Sequence, residues 1–244
     1  MSLYRDRGVV LRTYRLGEAD RIVVLLTEHH GKVRAVAKGV RRTASKFGAR
    51  LEPLSHVALL LWQGRGELDV VSQAEAVDGF RRVREDLDRV TKGLCLLEVA
   101  DQLAQERHAD PGLYAMLVGA LGVLADLRRD PFLVAPAFYL KALVLDGAGP
   151  VLDSCASCGG ADADVELVAF DLLQGGALCR ECRRGRPMSP EALVLLRRIL
   201  GGGLASLLEA PPPPAAQEVA VLATEAMEAH LDRRLRTVRS VAGL

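Results

Sequence analysis

Ile22-Val23-Val24-Leu25-Leu26-Thr27-Glu28-His29-His30-Gly31-Lys32-Val33-Arg34-Ala35-Val36-Ala37 carries two β-prone runs joined at a turn, and its reading decides the fold of the N-terminal part of the chain. Both runs are rich in β-branched residues, and Gly31 punctuates them. Working outward, Val9-Val10-Leu11 on one side, and Val57 to Trp62 and Leu68 to Val77 on the other, bring the number of such stretches to five. Gly17, Gly39, Gly48, Gly64 and Gly66 fall between them. Five short strands in so short a segment suit a small closed barrel; the OB-fold is one solution, and an SH3-like barrel fits the pattern as well.

The pattern changes after Gly79. Phe80, Val83, Leu87, Val90, Leu94 and Leu97 recur at steps of three and four, which predicts one apolar helix face. Asp110-Pro111 and Asp130-Pro131 read as an Asp cap followed by Pro at the first helical position, with Pro136 blurring the second start by a turn. Ser189-Pro190-Glu191 opens a helix that stops at Gly201-Gly202-Gly203, and Pro211 to Pro214 form a stiff connector. A last helix presents Val219, Leu222, Ala223, Ala226, Met227, His230, Leu231, Leu235 and Val238 on one face. These changes divide the chain into a barrel over 1–79, a helical body over 80–150 and 188–244, and a cysteine module over 151–187. The expected class is α+β multidomain.

The 244 residues are half hydrophobic and carry a formal net charge of only +1, so any nucleic-acid surface has to arise by local clustering. No apolar run approaches membrane-spanning length, and Met1-Ser2-Leu3-Tyr4-Arg5-Asp6-Arg7 does not resemble a secretory signal. The expectation is a cytoplasmic protein whose thiols stay reduced.

Cys155-Ala-Ser-Cys158 and Cys179-Arg-Glu-Cys182 are two CxxC pairs separated by twenty residues. Each pair supplies two sulfurs on one tight turn, and two turns complete a tetrahedron, so the spacing points to one Zn2+. Two disulfides or a redox dithiol are the weaker readings in a reducing compartment. With four ligands no position remains for water, and the metal is expected to be structural. Cys95 sits among leucines and reads as an inert buried thiol.

Between Lys32 and Arg50 lie seven basic residues and no acid: Lys32, Arg34, Lys38, Arg41, Arg42, Lys46 and Arg50. Such a patch neutralises phosphates and releases counterions, against the plainer reading of a solvated basic loop. Arg197 and Arg198, and the arginines around the second cysteine pair and beyond residue 232, are weaker candidates, since Arg near a helix C-terminus already complements its dipole. Aromatic residues are 4% of the chain; Tyr14 and Phe47 are the candidates for base stacking, and Trp62 reads as core. Phosphate-loop, nucleophile-elbow and HExxH sequences are absent, His29-His30 read as exposed turn residues, and a non-enzymatic protein is expected.

Gly8-Val-Val-Leu-Arg-Thr13, Gly17-Glu-Ala-Asp-Arg21, Ala37-Lys-Gly-Val-Arg-Arg42, Ser45-Lys-Phe47 and Leu51-Glu-Pro53, with Phe138 to Leu143, Gly147, Pro150, both CxxC pairs and Gly175-Gly-Ala-Leu178, resemble the recombination protein O (RecO) family. The resemblance implies an OB barrel that binds single- and double-stranded DNA and contacts RecR. It also implies strand annealing, a helical body that accepts the acidic tail of single-strand binding protein, and indirect action on RecA in a cytoplasmic, nucleoid-associated setting. For that tail the expected surface is a groove exposing Leu113, Leu117, Leu121 or Leu140 near Arg128, Arg129 or Lys141. A zinc-dependent DNA-binding regulator and a protein–protein adaptor are the rival classes.

Overall fold

The computed structural model describes residues 2–42, 45, 47–64 and 66–237. They form two compact units: residues up to Asp126 together with Thr237, and Leu127 to Arg236.

In the first unit, β1 (Leu3–Leu16), β2 (Asp20–Thr27), β3 (Gly31–Ala37), β4 (His56–Trp62) and β5 (Asp69–Asp78) close a barrel in the order β1-β2-β3-β5-β4. This is the five-stranded OB-fold. β1 is long because it serves two neighbours. Leu3 to Val9 pair with β4, Gly8 to Leu16 pair with β2, and a bulge between Val10 and Arg12 marks the changeover. Parallel pairs Ala35–Asp69 and Val36–Val70 complete the closure. Below them the edge of β3 is covered from another direction: the Lys32 N–H donates to the Gln105 carbonyl (3.0 Å) and Arg107 N–H to that of Lys32 (3.1 Å).

Strict alternation along β3 buries Val33, Ala35 and Ala37 and turns Lys32, Arg34 and Val36 outward. Ala35 and Ala37 join Val10, Val23, Leu25, Val57, Leu59, Leu61 and Val71 in the barrel core. A single 3-10 turn, Gly48–Leu51, adds Leu51, and Phe47 before it is 1% exposed in the same core. Phe47 is therefore no stacking platform. Trp62 corrects the other aromatic expectation: it ends β4 at the rim, opposite Leu3, and is 42% exposed.

The predicted helix from Phe80 is two elements, α1 (Arg81–Arg84) and α2 (Leu87–Leu103), because Asp86 caps a new start by accepting from Arg89 N–H. The restart shifts the phase. Arg89, Gly93, Leu96 and Ala100 face inward, while Leu87 and Leu94 lie outside. In α3 (Pro111–Ala125), Asp110 caps Leu113 N–H as expected. His56 Nε2 meets Tyr114 Oη at 2.7 Å, tying α3 to the start of β4.

In the second unit, α4 (Val134–Leu145) begins a turn later than Asp130, which instead accepts from Phe132 N–H. Pro136 is tolerated because N–H groups of a first turn have no helical partner. A three-stranded sheet, ordered β7-β6-β8, consists of β6 (Leu167–Asp171), β7 (Gly176–Cys179) and β8 (Arg186–Pro187). Around it lie α5 (Pro190–Leu200), capped by Ser189, the short α6 (Leu204–Leu208) and α7 (Ala216–His230). α7 buries Val219, Leu222, Ala223 and Met227, and packs on α4 and α5. Leu235 is buried beyond its end, and Val238 lies outside the described residues.

Leu113, Leu117, Leu121 and Leu140 are each no more than 1% exposed. They are core residues, and the groove expected from them does not exist. Among the described residues, no helix is long and apolar enough to cross a membrane.

Candidate nucleic-acid interface and metal centre

The outer face of β1, β2 and β3 gathers the charge. Arg12 and Tyr14 share parity on β1, and the Arg12 guanidinium lies over the Tyr14 ring, 5.1 Å from its centroid. Tyr14 is 43% exposed. With Ile22, Val24, Lys32, Arg34 and Glu106 the pair lines a shallow pocket of about 390 Å³. Sequence reading missed Arg12, although its i, i+2 relation to Tyr14 on a strand was the available signal.

The predicted basic residues are not equivalent. Lys32 is tied down: its Nζ donates to the Asp101 carbonyl at 2.6 Å and lies 3.6 Å from that residue's carboxylate. Arg12 Nε meets the same carboxylate at 2.9 Å while its side chain stays half exposed. Arg34 reaches Glu67 at 3.2 Å. Lys38, Arg41 and Arg42 are exposed on the turn after β3, which is latched to the β1–β2 turn by Arg41 N–H on the Ala19 carbonyl and Gly39 N–H on Asp20. The Arg41 guanidinium donates to the Glu18 carbonyl at 2.8 Å. Arg50 is exposed on the 3-10 turn, and Lys46 lies outside the described residues.

The arginines of the second unit are largely engaged with acids. Arg197 holds the cysteine module to α5, donating to Asp162 (2.8 Å) and the Leu152 carbonyl (2.5 Å) and lying 3.2 Å from Asp153. Arg180 pairs with Glu166, Arg184 with Asp171 and Arg186 with Glu225. Arg198 remains exposed on α5.

The two CxxC turns meet as the spacing requires. Sulfur atoms of Cys155, Cys158, Cys179 and Cys182 all lie within 4.8 Å of one another. The loop carrying Cys155 is fixed against β7 by Ala156 N–H on the Ala177 carbonyl and Ala177 N–H on that of Val151, both 2.8 Å. Cys179 N–H also points at Cys155 Sγ, 3.4 Å away.

Two of these thiols are pushed in opposite directions. Burial pushes Cys155 up, but N–H groups of Cys158, Cys179 and Ser157 more than reverse this and favour its thiolate. Hydrogen bonding with Cys179 and Cys158 holds the Cys182 thiol well above its ordinary value. A cation at the centre removes that conflict. Cys158 Sγ and Cys179 Sγ are 3.9 Å apart, close to the roughly 3.8 Å edge of a tetrahedron built with Zn–S bonds of about 2.3 Å. Four sulfurs fit a soft, tetrahedral divalent ion.

A closed OB barrel with a cationic, aromatic-bearing face, accompanied by helices and a four-cysteine module, places the chain among OB-barrel proteins with a surface compatible with nucleic acid. The family model described as Recombination protein O N terminal matches residues 1–80, and that described as Recombination protein O C terminal matches residues 84–239. The chain belongs to the recombination protein O family of DNA repair and recombination mediators, whose partners are DNA and the recombination machinery.

Proposed function

We propose that this chain is a non-enzymatic mediator that binds single- and double-stranded DNA without strong sequence preference and anneals complementary strands. With RecR it helps RecA replace single-strand binding protein, whose acidic tail it also recognises. The observation that carries the DNA-binding part is the Arg12–Tyr14 pair on β1, together with the exposed Lys38, Arg41 and Arg42 on the turn after β3. An aromatic face accepts any base, and guanidinium and ammonium groups accept any phosphate, so such a surface binds strands without reading them.

The four cysteines are assigned one Zn2+, which would cross-link the loops through its four bonds to sulfur. Cys155, Cys158, Cys179 and Cys182 would fill its coordination, giving it a structural role.

The decisive experiment is annealing of two complementary oligonucleotides coated with single-strand binding protein. Acceleration by the wild-type chain, much reduced when Arg12, Tyr14, Lys38 and Arg42 are all replaced by Ala, is the expected result. Acceleration undiminished in that variant would overturn the barrel-face reading. Titration of the coat protein's C-terminal peptide tests the partner half: saturable binding lost on amidating the terminal carboxylate supports it, and no binding at low salt contradicts it.

A further inference from the structure

The turn between β2 and β3 holds a second set of metal-binding side chains. Asp6 points inward from β1, and its side chain is wholly buried. Its carboxylate accepts from the N–H of Arg7 (2.7 Å) and of His29 (3.2 Å), and faces Nδ1 of His29 at 3.1 Å and of His30 at 2.5 Å. Glu28 is set beside it because its N–H donates to the Arg7 carbonyl at 2.9 Å. A carboxylate oxygen of Asp6, one of Glu28 and a ring nitrogen of His29 then lie within 4.8 Å of one another.

That arrangement concentrates negative charge. Among the described residues, the ion pairs of Asp6 are with His29 and His30, with no Lys or Arg joining them, and Glu28 forms none. A wholly buried carboxylate beside a second one calls for a cation, since like charges at such distances disfavour each other's ionisation.

We propose that Asp6, Glu28 and His29 bind one divalent first-row ion at this turn. Two oxygens and one imidazole suit Mn2+, Fe2+, Co2+ or Zn2+, and the remaining positions go to water. His30, on the other oxygen of Asp6, acts as a positioning residue, and its ring is held against Tyr4 with centroids 4.5 Å apart. The bound ion staples β1 to the β2–β3 turn.

Mn2+ is the probe, because its preference for oxygen donors keeps it off the four sulfurs. The full, zinc-loaded chain is titrated with Mn2+, and binding is followed by loss of the free ion's electron paramagnetic resonance signal. One equivalent should bind, with affinity weakened at least about tenfold by Glu28→Gln and by His29→Ala. Asp146→Asn should leave it unchanged, because that carboxylate pairs with His230 in the other unit. His29 is 68% exposed and Glu28 half-buried, so these variants spare the core that Asp6→Asn would disturb. A wild-type chain that takes up no Mn2+ at millimolar concentration, or variants that both bind as the wild type does, would overturn the proposal.

Discussion

The Arg12 guanidinium is held at both ends: its Nε meets Asp101 at 2.9 Å, and its plane lies over the Tyr14 ring at 5.1 Å. The side chain is pre-ordered, so binding a strand costs it little conformational freedom. Tyr14→Ala should weaken single-strand binding by roughly 1–3 kcal/mol, the usual worth of one stacked base. Tyr14→Phe should restore it. Fluorescence anisotropy with a labelled oligonucleotide reads both, and equal losses from Ala and Phe would show that the hydroxyl, not the ring, matters.

Charge on the turn after β3 acts differently. Lys38 and Arg42 are exposed there without a carboxylate partner among the described residues. Reversing both should weaken binding to all sequences alike and lower the slope of log affinity against log salt by about 0.7–0.9 for each phosphate that is no longer neutralised. Reversing Arg233 and Arg236, beyond α7, should have a smaller effect. Equal losses with an unchanged salt slope would contradict a barrel-centred interface.

The sulfur cluster predicts one zinc per chain, measured by elemental analysis of reduced protein. Cys158→Ser should lower the melting temperature before it lowers DNA affinity, because binding energy at a structural zinc is folding energy. All four thiols titrating freely in metal-free, fully folded protein would exclude the assignment.

Much of this was legible in the sequence, and what was not has a common cause. The five strands could be read because β-branched runs and glycines are local signals, and the cysteine centre because each half sits on one turn. Order in the barrel was not legible, since closure between β3 and β5 rests on two parallel pairs. The fate of a side chain depends on remote partners. Lys32 reads as free until Asp101, sixty-nine residues on, is seen to bind it. Phe47 and Trp62 exchanged roles because a 3-10 turn carries one inward and the end of a strand leaves the other at the rim. Leu87 and Leu94 moved to the outside when Asp86 restarted the helix.

His56 makes the first unit sensitive to mild acid. Burial, and next the charge of Arg7, lower its pKa below the ordinary value, so it stays neutral opposite Tyr114. The unfolded chain therefore takes up a proton first. The stability this site contributes is intact above the unfolded pKa of about 6.5 and is lost progressively as pH falls from there towards the lower folded pKa. Wild-type melting temperature should fall more steeply than that of His56→Gln on going from about pH 7.5 to about pH 5.5. Parallel curves would show that His56 is not the titrating group.

Gly31 and Gly17 share a left-handed backbone, with φ of +64° and +59°, yet their surroundings differ. A Cβ on Gly31 would stand 1.9 Å from the His108 carbonyl oxygen, while one on Gly17 would meet nothing within 4 Å. The close approach exists because residues 105–107 complete the edge of β3, and Arg107 then grips the wholly buried Asp69 through two hydrogen bonds of 2.8 and 2.9 Å. Gly17→Ala adds only the conformational cost, about 1 kcal/mol. Gly31→Ala adds a clash with backbone that cannot rotate away, bringing the total to about 3 kcal/mol or more. For a chain of this size the second change should lower the melting temperature by about 10 °C and the first by about 3 °C. Thermal unfolding of both variants followed by circular dichroism tests this. If Gly31→Ala melts with Gly17→Ala, the segment after α2 is not packed on β3 as described.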